Sequence, residues 1–332
     1  MDIVADWPIF EDDVDWEQAQ ASLEDAGLSD GLPLVAPTKR RLAAMLDAVA
    51  GPQHSHGPMP PLFQELTNAA VAYNCVLAGC QPAALPVAVT AAVACLDPSV
   101  NLLGAATTTG AAAIATVVHG PIASTLALNA GVNCLGPGSR GNAALGRSIA
   151  LVLRNIAGMA AGNADMATLG QPAKYGLCFA EASDATFAPL HVRQGLPAAA
   201  SAVTVLAISG TVEVLPSQET GNWDTPENIL DPAALAMHAT TRAGGGHANP
   251  ESKQQVLLLP PELAQLIARR GWAIADIQRH LAKQISMADD GAVAARPQDV
   301  HVIVTGGPGN KMAVLPLWGG GTRAITRELI QL

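Results

Sequence analysis

Aromatic side chains are scarce in this sequence, since Trp, Tyr and Phe together make up 3% of its 332 residues. Charged residues are also few, at 14%, whereas 49% of the residues are apolar. A core with few aromatic rings must be built from Ala, Val, Leu and Ile, and the high apolar fraction excludes a disordered chain. We expect an α/β fold in which Ala-rich helices flank a mixed, largely buried sheet.

Basic residues are outnumbered by acidic residues, 18 to 28, which gives a formal net charge of −10. Because the chain has no long basic stripe, it is not expected to bind nucleic acid. No apolar run reaches the ~20 residues of a membrane span, and the acidic start MDIVADWPIFEDD does not resemble a signal peptide. These absences predict a cytoplasmic protein without a membrane partner, and residues 1–30 are interpreted as a solvated acidic lead.

Paired metal-ligand motifs are missing as well, because the sequence has no CxxC pair and no HExxH. Five cysteines is an odd number for a disulfide framework, so we expect free thiols, no bound metal and no cofactor. The GxSxG nucleophile elbow is also absent. The usual metalloenzyme and serine-hydrolase patterns therefore have no support in this sequence.

Alternating strand and helix patterns fill the chain after its acidic lead. Predicted strands cover 31–37, 112–122, 174–181, 202–208, 254–260, 299–307 and 312–318. Predicted helices cover 16–26, 38–50, 61–77, 84–96, 140–157, 232–242, 261–270 and 273–286. A Pro/Ala-rich junction at 196–201 predicts two lobes, an N-terminal α/β lobe at 31–196 and a C-terminal α/β lobe at 197–332.

The segment GPGSRGN, residues 136–142, leads into the predicted helix at 140–157. Its glycines, the free backbone N–H groups and the positive end of the helix dipole favour an anion at this point. Arg140 would add a bidentate contact to a carboxylate or phosphate. The alternative is an ordinary tight helix start that is capped by Ser139 or Asn142.

The cysteines differ in their sequence context. Cys75 and Cys95 lie in apolar helical runs, which predicts buried and unreactive thiols. Cys80 follows a glycine at a helix end, whereas Cys178 shares a predicted strand face with Lys174, whose charge would lower the pKa of the thiol. Cys80 and Cys178 are therefore the candidate nucleophiles, and simple packing is the alternative for both.

Seven segments carry a resemblance: GLPLVAPT (31–38), NCVLAGCQPAALPVAVTA (74–91), LDPSVNLLGAATT (96–108), HGPIASTLALNAGVNCLGPGSRGNAALGRSIALVLRNIAG (119–158), TLGQPAKYGLCFAE (168–181), LLLPPELAQLIARRGWAIADIQRHL (257–281) and VIVTGGPGNKMAVLPLWGGGTRAITREL (302–329). Together they cover over half of the chain. They resemble an uncharacterised bacterial family found beside, or fused to, small thiol or selenol proteins named for a UGSC motif, in which U is selenocysteine. The resemblance implies an enzyme or enzyme subunit and points to Asn74, Cys80, Asn129, Gly136, Arg140, Asn142, Lys174 and Cys178.

This chain departs from that family at two places. The stretch ISGTVEVLPSQ (208–218) stands where the family tends to have an EGPH-like sequence, and Ala-Glu-Ala-Ser at 180–183 replaces AENE. If those polar residues bind substrate, this chain has a different substrate or has lost activity. The sequence holds no UGSC or CGSC motif, so the resemblance implies that any thiol or selenol partner protein is a separate chain.

We expect a lyase- or hydrolase-like enzyme that acts on a small anionic, carboxylate-bearing substrate by thiol-dependent cleavage or exchange at a carbon–heteroatom bond. The candidate catalytic residues are Cys80, Cys178, Lys174 and Glu181, the last two as proton-transfer groups. The candidate substrate-binding residues are Asn74, Thr108, Asn129, Gly136, Gly138, Arg140 and Asn142. The alternatives are a non-catalytic scaffold subunit for a thiol or selenol partner, and a cofactor-free lyase or hydratase whose cysteines only pack. A homo-oligomer is expected in each case.

Overall fold

A computed structural model describes residues 7–183, 186–217, 224–243, 254–286 and 296–331. Its helices are α1 (Trp16–Asp25), α2 (Lys39–Leu46), α3 (Asn68–Ala78), α4 (Leu85–Ala94), α5 (Leu102–Thr107), α6 (Pro121–Thr125), α7 (Arg140–Asn155), α8 (Leu190–Arg193), α9 (Pro226–Ala243), α10 (Pro261–Arg269) and α11 (Ile274–Ser286). Its strands are β1 (Ser55–Met59), β2 (Gln64–Thr67), β3 (Ala113–His119), β4 (Leu177–Ala180), β5 (Ala202–Ile208), β6 (Val212–Val214), β7 (Gln255–Leu259), β8 (Val300–Val304), β9 (Met312–Pro316) and β10 (Ile325–Glu328). This mixture of helices and strands confirms the α/β class.

Within the described residues the strands form two four-stranded sheets and a separate β1–β2 hairpin. The first sheet has the order β10-β5-β3-β4, in which β3 and β4 are parallel and the other pairs are antiparallel. The second has the order β6-β9-β7-β8, in which β7 and β8 are parallel. Both sheets are therefore mixed, as the sequence predicts.

The two sheets pack face to face between two layers of helices. Alternate residues of the first sheet, such as Val117 and Leu206, pack together with residues of the second, such as Leu315. The opposite face of the first sheet is covered by α4 and α7, on which α3 packs, and that of the second sheet by α9, α10 and α11. Both faces of the central strands β3 and β5 are therefore buried, which explains why most of their residues are apolar.

Helix α7 lies close to β4 because two glycines remove side chains that would separate them. The apolar residues of α7 recur at helical spacing, which buries one face of the helix. A Cβ atom on Gly146 would lie 2.9 Å from the backbone nitrogen of Cys178, and one on Gly176 would lie 2.4 Å from that of Arg147. This contact fixes the height of α7 above the first sheet, and with it the position of the helix start.

The strand predicted at 31–37 is wrong, because the backbone of this segment finds partners outside any sheet. The Leu34 N–H donates to the side-chain oxygen of Gln20 (2.9 Å), and the Leu34 carbonyl accepts from the same side chain (2.9 Å). The Val35 N–H donates to the carbonyl of Leu77 at the end of α3 (3.0 Å). The segment is extended, but these bonds replace those that a neighbouring strand would supply.

The predicted helix at 61–77 begins later than expected. Its first residues belong to the β1–β2 hairpin, and α3 starts at Asn68. Thr67 caps the helix, since its side chain accepts a hydrogen bond from the Ala70 N–H (3.1 Å). A threonine cap was available in the sequence, but the apolar residues before it also fit a helical pattern.

The boundary predicted near residue 197 lies between α8 and β5. The first sheet takes β3 and β4 from before that point, and β5 and β10 from after it. The segments on either side of residue 197 therefore share one sheet.

No individual helix in the described ranges has both the length and the apolar composition of a membrane span. One bent pair, residues 82–94 with residues 98–107 at an angle of 73°, passes that test by length and composition only.

Candidate active site

A cavity of about 550 Å³ lies between the end of α3 and the start of α7. Helix α3 is followed by Gly79, whose φ of 78° is a left-handed conformation that glycine adopts without strain. The turn brings Cys80 to the cavity and is held by a hydrogen bond from the Cys80 N–H to the Cys75 carbonyl (2.9 Å). The lining also includes Gln81, Leu128, Asn129, Ser139 and Arg140. The predicted anion site and one predicted nucleophile therefore share a single cavity.

Cys80 is partly exposed, whereas the other four cysteines are buried. A hydrogen bond from the Cys75 thiol lowers the pKa of Cys80, and it outweighs burial, which raises that pKa. The Ser148 hydroxyl and the positive charge of Arg140 lower the pKa further. Because the thiolate is the nucleophilic form of cysteine, these surroundings favour reactivity at Cys80.

The neighbouring thiols have the opposite character. The hydrogen bond to Cys80 raises the pKa of Cys75 well above its usual value, and burial raises it further. Burial raises the pKa of Cys95 to about 12. Burial also raises the pKa of Cys178, as does the nearby negative charge of Cys80. The geometry therefore favours Cys80 over Cys178 as the nucleophile.

Arg140 is the first residue of α7, and its Nη2 donates to the carbonyl of Gly79 (3.3 Å). Ser139 is the cap, because its hydroxyl accepts a hydrogen bond from the Asn142 N–H (3.3 Å). The N–H groups of Arg140 and Gly141 come before the first bonded turn of the helix, and both residues line the cavity. Positive charge and N–H donors therefore meet beside Cys80, which suits an anionic ligand.

Asn129 lines the cavity, whereas Asn142 does not line it and supports Asn129 through hydrogen bonds. The Asn142 side chain accepts from the Asn129 N–H (2.8 Å) and donates to the Asn129 carbonyl (2.9 Å), while the Asn129 side chain is bonded within its own turn. Gly138 lines the cavity, whereas Gly136 packs against the side chain of Asn133. These residues position the loop before α7, and their side chains are already occupied by protein groups.

Lys174 lies outside this cavity. It belongs to a 3₁₀ turn, Pro172–Tyr175, whereas β4 begins at Leu177, so the predicted common strand face of Lys174 and Cys178 is wrong. A proline starts this turn, and proline has no N–H to donate to a neighbouring strand. The Lys174 ammonium donates to Asp165 (2.6 Å) at a second cavity of about 650 Å³.

Three more predicted residues lie elsewhere in the fold. Asn74 is buried and accepts a hydrogen bond from the side chain of Asn155 (2.7 Å). The Thr108 hydroxyl accepts from the N–H of Gly110 (3.0 Å), as is usual in a turn. Glu181 is buried just after β4, on the other face of the first sheet from α7.

Of the predicted catalytic residues, Cys80 lines the cavity, and Cys178, Lys174 and Glu181 do not. Sequence reasoning missed the apolar wall formed by Leu126 and Leu128. The sequence marks these residues only by their position between α6 and the glycine-rich segment at 136–142. The effect of Cys75 on the pKa of Cys80 was also not predicted, although their spacing across one helix end is a usable indication.

Comparison with known protein families and with curated proteins finds no match to this chain. The assignment of function therefore rests on the chemistry of the cavity.

Replacing Cys75 by alanine is expected to raise the pKa of Cys80 by about one unit, because the thiolate loses the hydrogen bond that stabilises it. The measurement is the rate of Cys80 alkylation by iodoacetamide against pH, followed by mass spectrometry. In the unaltered protein, Cys80 should react much faster near neutral pH than Cys95 or Cys178. The matched control is Cys95→Ala, which also removes a buried thiol and should leave the profile unchanged. A profile that does not move in Cys75→Ala would contradict this account.

Proposed function

We propose that the chain is an enzyme in which the thiolate of Cys80 acts on a small carboxylate-bearing substrate bound at the start of α7. The observation that carries the proposal is a partly exposed cysteine in a cavity that also contains Arg140, in surroundings that lower the pKa of the thiol. Reactive cysteines lie in accessible, electropositive surroundings of this kind, whereas structural cysteines are buried and inert.

The substrate carboxylate would lie against Arg140 and the N–H groups at the start of α7. A bidentate guanidinium contact fixes the orientation of a carboxylate, and the helix dipole favours its charge. The apolar residues Leu126 and Leu128 would contact the rest of the molecule. A cavity of about 550 Å³ suits a small molecule.

In the proposed reaction the Cys80 sulfur attacks an activated carbon of the substrate. The carbon–heteroatom bond breaks, and the leaving group departs with the electron pair and takes a proton from water. The hydroxide that remains then displaces the sulfur, which releases the hydroxylated product and restores the thiolate. The hydrogen bond from Cys75 stabilises the Cys80 thiolate before it attacks the substrate and again when the product is released. Lys174 and Glu181, which were expected to transfer protons, have no part in this scheme.

The test compares two alkylating reagents, iodoacetate and iodoacetamide, which differ by the carboxylate. Both form a sulfur–carbon bond and release iodide, so the ratio of their rates at Cys80 measures recognition of the carboxylate. Arg140→Ala is expected to lower that ratio by roughly tenfold or more, the scale of a hydrogen bond to a charged group. Any change in the pKa of Cys80 slows both reagents equally and cancels from the ratio.

The matched control is Arg40→Ala, which removes a surface arginine paired with Asp12. Its rate ratio should equal that of the unaltered protein. An unchanged ratio in Arg140→Ala would refute carboxylate binding at this helix. Equally slow alkylation of all five cysteines would instead favour a scaffold subunit, whose reactive thiol or selenol belongs to a partner protein.

A further inference from the structure

Three metal-ligating side chains meet in the space between the two sheets, away from the Cys80 cavity. His119 is the last residue of β3, Glu181 directly follows β4, and His191 lies in α8. Because β3 and β4 are parallel, their carboxyl ends lie at the same edge of the sheet, which is where open α/β sheets place ligands. The exposed fractions are 1% for His119, 7% for Glu181 and 1% for His191.

The donor atoms of this cluster are close enough to share one ion. One ligand atom from each of the three residues lies within 4.8 Å of the others. Nδ1 of His119 lies 2.6 Å from Oε2 of Glu181, and Nε2 of His119 lies 2.7 Å from the hydroxyl of Thr204. Thr204 in turn bonds to Thr326 (2.8 Å). The hydrogen bond to Thr204 holds the His119 ring so that Nδ1 faces the cluster. Histidines that bind a metal are commonly held in this way by a hydrogen bond to their other ring nitrogen.

His191 is the independent observation that indicates a missing ligand. Neither of its ring nitrogens has a hydrogen-bond partner among the described residues, although both are buried. Buried polar groups are almost always paired, so an unpaired imidazole beside a carboxylate and a second imidazole requires an explanation.

We propose that His119, Glu181 and His191 bind one divalent transition-metal ion, of the Zn²⁺ or Fe²⁺ type. Two imidazoles and one carboxylate are a usual donor set for both ions. The ligand atoms would be Nδ1 of His119, Oε2 of Glu181 and one unpaired ring nitrogen of His191. Because the cluster lies between the sheets with almost no exposed surface, the ion would join β3, the segment after β4 and α8 as a structural link.

Binding requires one local rearrangement. Ligands on a tetrahedral ion lie about 3.4 Å apart, so the hydrogen bond between His119 and Glu181 must open and release its proton to solvent. The carboxylate stays anchored, since the N–H of Leu190 donates to both of its oxygens, at 2.9 Å to Oε2 and 3.1 Å to Oε1. Arg193 lies 3.9 Å from the other carboxylate oxygen, Oε1. Its positive charge disfavours a cation, so the affinity should fall short of that of sites without a nearby arginine.

This site cannot be recognised from the sequence, because residues 119, 181 and 191 show none of the short spacings of metal-binding motifs. The sequence predicts Glu181 as a proton-transfer group, and neither histidine lies in a pattern that marks it as a ligand. The fold supplies the proximity through the parallel pairing of β3 and β4 and the short helix α8.

The test is a Co²⁺ titration of chelator-treated protein in a Cys80→Ser background, which removes the accessible thiol as a competing ligand. We expect one equivalent of Co²⁺ to bind, with ligand-field absorption in the visible range and without a thiolate charge-transfer band. Zn²⁺ should displace it, and the bound ion should raise the Tm.

Single substitutions then locate the ion. His191→Ala and Glu181→Gln should each weaken Co²⁺ binding by more than about 100-fold. Substitution of a residue that only hydrogen-bonds to a metal ligand already lowers metal affinity by about 10–100-fold. Thr204→Val removes the hydrogen bond to His119 and should weaken Co²⁺ binding by about 10–100-fold. If circular dichroism shows that the ligand variants are unfolded, Thr204→Val provides the test of the site. The control is His280→Gln, which alters a histidine that is paired with Asp231 at the surface. Absence of stoichiometric binding, or equal affinity in the substituted proteins, would overturn the proposal.

Discussion

Gly176→Ala is expected to destabilise the protein by about 4 kcal/mol or more, at the upper end of what single substitutions do. The added Cβ would lie 2.4 Å from the backbone nitrogen of Arg147 and 2.4 Å from the carbonyl carbon of Gly146. Backbone atoms inside a helix cannot rotate aside, so the new methyl group must push α7 away from β4. The φ of 124° at Gly176 adds strain for any residue with a side chain. Urea unfolding followed by circular dichroism measures the loss.

Gly138→Ala provides a matched control for this prediction. Gly138 has the same φ of 124°, but a Cβ atom there meets no other atom within 4 Å. Its substitution should therefore cost only the conformational strain, about 1–3 kcal/mol. The difference between the two variants isolates the steric contact between α7 and β4. Equal destabilisation of both would show that this contact is not tight.

The second large effect is a loss of stability in acid that depends on His301. Burial lowers the pKa of His301 to about 4, and the positive charge of Arg193 acts in the same direction. Asp299 opposes this shift, and Arg323 adds to it. The unfolded chain binds the proton with an ordinary pKa of 6.5, so His301 contributes fully to stability above that value. That contribution is lost as the pH falls from 6.5 towards 4, and amounts to about 3 kcal/mol.

The measurement compares the unfolding free energy of the unaltered protein and of His301→Gln at about pH 8 and about pH 4. The unaltered protein should lose about 3 kcal/mol more than the variant between these values, because glutamine does not titrate. Carboxylates such as Asp299 titrate in both proteins, so their contribution largely cancels. His280→Gln should retain the full acid sensitivity. A parallel loss in His301→Gln and the unaltered protein would mean that His301 takes up its proton without unfolding.

The best predicted elements are those whose sequence admits one interpretation. The strand expected at 202–208 coincides with β5, because six of its seven residues are apolar and the segment is bounded by polar or small residues. The helix expected at 140–157 ends two residues earlier than predicted, and its cap was one of the two proposed. The segment at 31–37 is equally apolar, but its partners are a helix end and the Gln20 side chain. Local patterns do not distinguish such partners from a strand, because they record burial and not hydrogen bonding.

The part of the candidate site that consists of residues adjacent in the sequence could be predicted. The glycines, Ser139 and Arg140 are contiguous, so the helix start at 136–142 was recognisable. The proximity of Cys80 to Arg140 was not, since they come from different helices joined only by tertiary packing. Lys174 does not share a face with Cys178, because it lies in a turn that starts with proline and strand alternation does not apply there. A shift of one element boundary changes which side chains share a face, and so changes the predicted site.

Strand β10 has a consequence for synthesis on the ribosome. It pairs Glu328 with Ala202 and forms one edge of the first sheet. The partner strand β5 leaves the ribosome long before β10, so its edge has no native partner while the whole second sheet is being made. An apolar strand such as AVTVLAI with an open edge is a template for pairing with other chains. The open edge of β5 is therefore a site at which the growing polypeptide can aggregate during this interval, and residues 325–328 cover that edge when they pair with it.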